Sequence, residues 1–354
     1  MKIGIAFDLA PVAPPPGPTE GPDDRFEEFD KPETVEAIAA AIRGDGHDVV
    51  LLGDGRDFLT RVLADPPDFV FNIAEGEGVG RCREARVPAA LEMLGIPYSG
   101  SDPLTLAASL DKEVANRLVR AASGVRCPMS RMLPADQTSG EAALAHLFGR
   151  DEPPSPGAGW GGAKPLILKP AFEGSSKGIR GRCVAGTLDE AFSLYQGLIR
   201  DYEQPILAEE YVEGDEVTVG LVGNPGRGGR DFAVLGVMRV VSKQPVDRFI
   251  YSLEVKRDWR NRVSYETPPL LPEPVVASIS AAAMVVFNAL GCRDVARVDF
   301  RVRDGVPYFI EANPLPGLAP GVGDLVLLAE GYGIGYSDLI RKILHAALTR
   351  AGLR

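Results

Sequence analysis

The stretch that decides the fold is residues 296–313, which reads ARVDFRVRDGVPYFIEAN. Polar and apolar residues alternate in its first half, as in a strand with one buried face, and the second half repeats that period. Arg303-Asp304-Gly305 is expected to form a three-residue hairpin loop. In that register one face is wholly apolar and carries Val298, Phe300, Val302, Val306, Tyr308 and Ile310. A two-residue loop would mix the two faces.

The opposite face of this hairpin gathers Arg297, Asp299 and Glu311, with Asn313 just beyond. A solvated face with salt bridges is one interpretation, because most such strands are solvated. A Mg²⁺ site is the other, because hard oxygen ligands that leave room for phosphates suit this ion. The rigid sequence NPLPG at 313–317 favours the metal site, since it would hold the ligands in place.

A second feature is KPAFEGSSKG at 169–178, which follows a predicted strand. Its Gly and Ser residues expose backbone N–H groups that can cradle phosphate oxygens, and Lys169 adds a point charge. It matches neither the Walker pattern nor GxGxxG, and a Gly/Ser loop alone is more often a turn. Lys112, near a predicted helix start, supplies another cation.

Composition excludes several classes of protein. The 354 residues suit two or three lobes that share a cleft, and 45% apolar with 25% charged residues is an ordinary globular composition. Lys and Arg number 38 against 49 Asp and Glu, a net charge of −11, which disfavours a non-specific nucleic-acid binder. We find no apolar run near 20 residues and no secretory signal before Asp8, so we expect a cytoplasmic protein without a membrane partner. The four cysteines are too scattered for a zinc site or a disulfide framework.

The chain divides into three predicted lobes, at 1–101, 102–204 and 205–354. The order of strand, helix and strand in the first lobe indicates a doubly wound α/β unit. A proline-rich stretch at 10–18 and an acidic run at 23–30 form a long loop after its first strand. Residues 153–162 are predicted to be a surface insertion, because they carry too little side-chain mass to pack.

Together these motifs resemble the ATP-grasp ligases, in the version used by the D-alanine–D-alanine ligase family. The resemblance is carried in order by GIPYSGS at 95–101, LDK at 110–112, Lys169, EGSSKG at 173–178, EEYV at 209–212 with Glu216, RVD at 297–299 and EAN at 311–313. It implies an α/β ATP-grasp fold, with the doubly wound lobe first and the nucleotide held between the central and C-terminal lobes. It also implies ATP and Mg²⁺ as cofactors, and Mn²⁺ is expected to be able to substitute.

The resemblance implies a role for each matching residue. ATP phosphates would be contacted by Lys112 and Lys169, beneath a closing loop with Ser175 and Ser176. The adenine pocket would be lined by Glu209, Glu210 and Val212, and Glu216 would bind the ribose. The metal would be held by Asp299, Glu311 and Asn313. The acyl phosphate and the tetrahedral intermediate would be stabilised by Arg297, with help from the backbone near Gly317 and from Lys256.

The chain departs from the family pattern in its substrate-binding parts. The early glutamate that holds the first substrate's ammonium is missing, and Glu20, Glu27, Glu28 or Asp30 could replace it. The HGxxGEDG stretch is replaced by residues 72–84, either through drift or to form a new pocket in which Arg81 and Arg83 bind an anionic group. Arg257 stands where a tyrosine usually follows Lys256. Asp324 falls where the family has a serine for the product carboxylate, which suits a cationic or hydroxylated acceptor better.

We therefore predict an ATP-dependent ligase that phosphorylates a carboxylate and joins it to a small amine or amino acid, with altered specificity. A genuine D-alanine–D-alanine ligase of peptidoglycan synthesis is an alternative, and a non-catalytic ATP-binding regulator is another. Homodimers are common among such ligases, so a homodimer is possible by resemblance.

Overall fold

The structure, a computed structural model, describes residues 1–11, 21–122, 124–148, 165–226 and 232–354. Residues 12–18 of the proline-rich stretch, the candidate Glu20 and the predicted insertion at 153–162 lie outside the described residues.

The first lobe is a three-stranded parallel sheet with helices on both faces, as predicted. Its elements are β1 (Lys2–Ala6), α1 (Pro32–Gly44), β2 (Asp48–Gly53), α2 (Gly55–Ala64), β3 (Phe69–Asn72) and α3 (Arg86–Leu94), in the strand order β2-β1-β3. The apolar positions of α1 recur at helical spacing, so Val35, Ile38 and Ile42 are all buried against the sheet. Phe58 of α2 and Leu91 of α3 pack on the opposite face.

The second sheet is antiparallel and has four strands in the order β4-β7-β5-β6. The elements of this region are α4 (Pro103–Leu110), α5 (Lys112–Ala121), β4 (Ser130–Leu133), α6 (Gln137–Phe148), β5 (Leu166–Pro170), β6 (Val184–Ala185), α7 (Leu188–Tyr202) and β7 (Ile206–Glu210). Thr187 and Glu190 form a reciprocal capping box that fixes the start of α7. The helix start predicted near Lys112 is that of α5, which begins there because the Asp111 side chain accepts from the backbone N–H groups of Glu113 and Val114.

The third sheet is antiparallel and has five strands in the order β10-β9-β8-β11-β12. The elements are β8 (Asp215–Val222), β9 (Ala233–Ser242), α8 (Leu253–Arg257), α9 (Trp259–Arg262), β10 (Val263–Glu266), α10 (Glu273–Leu290), β11 (Val295–Arg303), β12 (Val306–Asn313), α11 (Asp324–Gly331) and α12 (Tyr336–Arg350). Ile279, Val286 and Phe287 of α10 are buried under this sheet. By length and mean hydropathy of 1.6, α10 is one helix among the described residues that could cross a membrane, but core helices pass the same test.

The lobe boundaries predicted from sequence do not follow the sheets. Strand β7 hydrogen-bonds to β4 and β5 in the second sheet, so the predicted boundary at 204/205 cuts that sheet. Ala115 and Val119 of α5 pack in the core under the third sheet. Helix α12 packs on α1 and completes the core of the first lobe, with Leu339, Ile340 and Leu344 fully buried.

The register of the β11–β12 hairpin corrects the predicted three-residue loop. Arg303 pairs with Val306, so the loop is Asp304-Gly305, and both residues have positive φ (54° and 75°) as a two-residue hairpin turn requires. The register shifts between Asp299 and Phe300, where Asp299 pairs with Glu311 but Phe300 pairs with Phe309. This bulge restores the polar face that the two-residue loop would otherwise have mixed. The hairpin residues in the core under this sheet are Ala296, Val298, Phe300, Val302, Phe309 and Ala312, without the predicted Val306, Tyr308 and Ile310.

Candidate active site between the second and third sheets

The junction cavity, as we call it, lies between β5 and β7 of the second sheet and β8, β11 and β12 of the third. It brings together ten of the residues predicted from sequence. They are Lys169, Ser176, Glu209, Glu210, Val212, Glu216, Lys256, Asp299, Glu311 and Asp324. Residues far apart in sequence therefore line one cleft, as a nucleotide site between two lobes would require.

The ion pair at the floor of the junction cavity is Lys169 with Glu209. The ammonium Nζ lies 2.6 Å from a Glu209 carboxylate oxygen, and both side chains are almost wholly buried. Burial alone would lower the pKa of Lys169, but the Glu209 carboxylate outweighs it, so the pKa is raised and the lysine keeps its charge. Asn116 donates to the other Glu209 oxygen at 3.3 Å.

The glycine-rich loop after β5 has the backbone of an anion-binding nest. Ser175 and Ser176 both have left-handed φ, 48° and 61°, which is uncommon for residues with side chains. The loop is held from two sides. Glu28 of the first lobe accepts from the Gly174 N–H at 2.6 Å, and the Ser176 hydroxyl donates to the Tyr251 carbonyl at 3.1 Å. Such strain persists where surrounding contacts enforce it, which is typical of functional loops.

The predicted metal ligands converge on the polar face of the hairpin. Arg297 donates to both oxygens of Asp299, Thr218 donates to it at 2.9 Å, and the Asn313 amide donates to it at 3.3 Å. Burial, together with nearby Glu311, raises the pKa of Asp299 to about 6. Among the described residues no group of three or more His, Cys, Asp or Glu side chains converges as a metal site. The polar face of the hairpin offers two carboxylates, those of Asp299 and Glu311.

Glu311 is the carboxylate that keeps its charge. Burial would raise its pKa, but the surrounding cations lower the pKa to about 2, and they are Lys112, Arg297, Lys256 and Lys169. Two carboxylates and an amide oxygen are hard donors, so the residues present fit a magnesium ion.

Asp324 lies between the cations at this end of the junction cavity. Its carboxylate is 3.4 Å from Arg297 and 3.8 Å from the Lys256 ammonium. Tyr251 donates its hydroxyl to the same carboxylate at 2.9 Å, and the Lys256 ammonium lies 4.9 Å from the Tyr251 ring centroid. The protein's own carboxylate therefore occupies the position between the two cations.

Arg301 is a junction-cavity residue that the sequence interpretation missed. Its guanidinium is buried, pairs with Glu216 at 2.6 Å and donates to the Val212 carbonyl at 2.9 Å and to the Tyr211 hydroxyl at 3.1 Å. Its position in the strand was a usable signal, because Arg301 follows Arg297 and Asp299 on the same face at period two.

An inner cavity adjoins the first one at Glu311, which lines both. The predicted residues Lys112, Ser175, Arg297, Asn313 and Gly317 line it, and so do four glutamates, Glu28, Glu75, Glu84 and Glu173. Gly323 allows the backbone at Gly317 to approach closely, because a Cβ there would lie 2.5 Å from the Gly317 carbonyl oxygen.

The predicted substrate arginines are not among the residues that line the two cavities. Arg83 is 1% exposed, pairs with Glu28 at 2.9 Å and with Glu173 at 3.4 Å, and is therefore not available for an anionic group as predicted. Arg81 pairs with Asp111 at 2.9 Å and is largely exposed. Arg257 pairs with Asp23 and Glu27 of the acidic run, at 2.9 and 2.7 Å.

Comparisons with known proteins show the family of this chain. Residues 163–345 match the family model described as D-ala D-ala ligase C-terminus. A D-alanine–D-alanine ligase from Cupriavidus metallidurans is 31% identical over 311 residues, covering 88% of this chain and 85% of the relative. The chain belongs to the D-alanine–D-alanine ligase family. Another member, from Gloeobacter violaceus, is 31% identical over 320 residues, covering 88% of this chain and 92% of its own length.

Solved structures of the D-alanine–D-alanine ligase family have the same fold. A Bacillus anthracis D-alanine–D-alanine ligase complexed with ATP matches with a TM-score of 0.70 and 22% identity, over 99% of both chains. The VanG D-Ala:D-Ser ligase from Enterococcus faecalis matches with a TM-score of 0.68 and 19% identity, over 98% of this chain and 99% of that one. The predicted ATP-grasp fold is confirmed, and the chain is an ATP-dependent ligase of this type, which forms carbon–nitrogen bonds.

Proposed function

We propose that this ligase activates a carboxylate with ATP and joins it to an amine that carries no carboxylate of its own at the acceptor position. The observation that carries this proposal is Asp324, whose carboxylate already balances Arg297 and Lys256. An acceptor carboxylate placed there would lie beside a buried like charge, which is unfavourable in a site of low dielectric. An uncharged hydroxyl or a cation suits the same position.

The cations of the two cavities would neutralise the phosphate oxygens of ATP. Lys169 is held charged at the floor of the junction cavity, and the Ser175–Ser176 nest offers backbone N–H groups. Glu209, Glu210 and Val212 would line the adenine pocket and Glu216 would bind the ribose. Lys112, which faces the inner cavity, would contact the transferred phosphate from the donor side.

Asp299, Glu311 and Asn313 would hold Mg²⁺, with Mn²⁺ as a substitute. When bound, the ion supplies positive charge to the phosphate oxygens during transfer. Arg297 would stabilise the acyl phosphate and the tetrahedral intermediate, together with Lys256 and the backbone near Gly317. Asp324 would position Arg297 and Lys256 and bias the choice of acceptor.

A genuine D-alanine–D-alanine ligase is the second candidate, favoured by relatives of that name that match nearly the whole chain. The acidic run supports it as well, because Glu28 lines the inner cavity, where the family's early glutamate would hold an ammonium. Arg83 and Lys177 pair with Glu28, however, so its charge is already balanced. For either candidate we propose the cytoplasm as the compartment and small amino acids or amines as substrates, without nucleic acid or membrane; homodimerisation stays a prediction.

The test is a matched pair of acceptors. ADP release should be measured with ATP, Mg²⁺ and a panel of carboxylate donors, using D-alanine or D-alaninol, which replaces the carboxylate with a hydroxymethyl group, as the acceptor. We expect at least about tenfold higher kcat/KM with D-alaninol, and Asp324→Asn should reverse the preference, because an acceptor carboxylate then meets Arg297 and Lys256 without the opposing charge of Asp324.

Glu330→Ser, on the exposed side of the same helix α11, is the control and should leave the preference unchanged. Efficient D-alanine–D-alanine synthesis by the wild-type enzyme would exclude altered specificity and establish the second candidate.

A further inference from the structure

The inner cavity is lined by charges of both signs. Lys112 and Arg297 line it beside Glu311, where the donor carboxylate would be phosphorylated, and Glu75 and Glu84 of the first lobe line it as well. A molecule that carries both an anionic and a cationic group would find partners for both charges there.

Two of the four glutamates that line the inner cavity already have their charge balanced by cationic side chains of the protein. Glu28 pairs with Arg83 at 2.9 Å and with Lys177 at 3.1 Å. Glu173 pairs with Lys177 and accepts from the Gln204 amide at 2.7 Å. These two carboxylates therefore need no substrate cation.

Glu75 and Glu84 are not balanced in this way. Glu84 is only 7% exposed, and its carboxylate makes no hydrogen bond or ion pair with any of the residues that the structure describes. Burial, assisted by Glu28, raises the pKa of Glu84 to about 8, although Arg83 opposes the rise. Burial and the neighbouring Glu84 raise the pKa of Glu75 well above its usual value. A buried carboxylate without a partner is costly, so a ligand cation would be bound favourably there.

The loop that presents these carboxylates is rigidly built. Asp8, which follows β1, accepts from the backbone N–H groups of Glu75 and Gly76 at 2.6 and 2.9 Å. Gly76 has φ of 81°, and a Cβ there would lie 2.6 Å from the Arg83 carbonyl oxygen. The close approach of the two backbone segments fixes Glu75 and Glu84 on one wall of the cavity.

We propose that the carboxylate donor is a basic amino acid, whose α-ammonium and side-chain cation are bound between Glu75 and Glu84. One ammonium would balance one carboxylate, and the second carboxylate selects for the additional charge. This inference rests on the proposed function, since it places the donor carboxylate beside Arg297 and Glu311.

Isosteric pairs of amino acids test the charge alone. Binding of lysine against norleucine, and of arginine against citrulline, should be measured by calorimetry with a non-hydrolysable ATP analogue and Mg²⁺, for both enantiomers. We expect the cationic member of each pair to bind roughly 10- to 100-fold more tightly, as for charged hydrogen-bond partners in a buried site. Equal or weaker binding of the cationic members would overturn the proposal.

Variants test whether Glu75 and Glu84 cause the preference for the cationic amino acid. Glu84→Gln and Glu75→Gln should each remove most of the preference for lysine over norleucine, while Glu77→Gln, in the same loop but exposed, should keep it. Glu75 is partly exposed, so its variant keeps the test open if Glu84→Gln fails to fold. A preference retained in Glu75→Gln, or in a folded Glu84→Gln, would contradict the assignment. Because the readout is binding, its failure is distinct from an absence of ADP release with every substrate pair, which would refute the proposed function instead.

Discussion

A single residue, Asp8, should make the free energy of unfolding depend on pH. Its carboxyl is buried against Asp54, and burial, followed by the contact with Asp54, raises its pKa from 3.8 to about 8. The folded protein therefore holds a proton that the unfolded chain releases at lower pH. The free energy of unfolding should fall as the pH rises from about 4 to about 8.

Asp8→Asn should remove this part of the pH dependence. The introduced amide would retain an acceptor oxygen for the loop and would carry no charge, so the variant should gain roughly 1–3 kcal/mol over the wild type at pH 8, and little at pH 4. Denaturant unfolding at several pH values measures the difference. Asp65→Asn, whose side chain is exposed, is the control. Parallel curves for wild type and Asp8→Asn would show that Asp8 is ionised throughout.

Individual side chains were predictable where strand periodicity decides them. Alternation placed Arg297 and Asp299 on one face, and the structure confirms that arrangement. The contacts of Arg301 depend on the Val212 and Phe249 carbonyls, which come from other segments and have no local signal. For the same reason Arg83 was predicted to be available, although Glu28 and Glu173 reach it from distant segments of the chain.

The glycine-rich loop is the element whose backbone conformation we expect to affect ATP binding most. Ser175→Gly keeps the left-handed φ without strain, whereas Ser175→Val places a β-branched side chain in a conformation that it rarely adopts. Ser175→Val should therefore raise KM for ATP at least about tenfold more than Ser175→Gly. Steady-state kinetics at varied ATP decides this. If both variants lose turnover equally, the Ser175 hydroxyl, and not the backbone, is the essential group.

The β11–β12 hairpin shows why an element can be predicted while its register is not. Asp304-Gly305 is a strong signal for a two-residue turn, but the alternation of Val306, Tyr308 and Ile310 favoured a longer loop. The bulge opposite Asp299 resolves this conflict, because it turns Phe309 into the core. Bulges depend on packing from both sides of a sheet, which one strand's sequence does not reveal.

At the scale of the whole molecule, the acidic run joins the first lobe to the other two. Asp23 and Glu27 pair with Arg257, Asp24 accepts from Tyr202 at 2.7 Å, and Glu28 binds the glycine-rich loop. Sequence predicted the loop but not its partners, because all of them are distant along the chain. The contacts hold the lobes together over the inner cavity.

Arg257→Ala should weaken the contacts by which the acidic run joins the first lobe to the other two. Its pairs are largely exposed, so we expect at most about 1 kcal/mol in stability and roughly a two- to fivefold rise in the KM values of the substrates. The rise should be largest at low salt and shrink at about 0.5–1 M salt, where the wild-type pairs are screened as well. Arg200→Ala, which removes an exposed pair with Asp201, is the control. A salt-independent rise would point to direct substrate binding by Arg257.

The packing of α12 on α1 has a consequence for biosynthesis. The core of the first lobe, to which Val35 and Ile38 of α1 belong, is completed by a helix that the ribosome makes long after the strands of the first sheet. Until α12 has been made, this core is open to chaperones and to aggregation, so the first lobe cannot finish folding before then. A chain truncated before Tyr336 should remain sensitive to proteases in the first lobe, whereas the chain that includes α12 should be resistant.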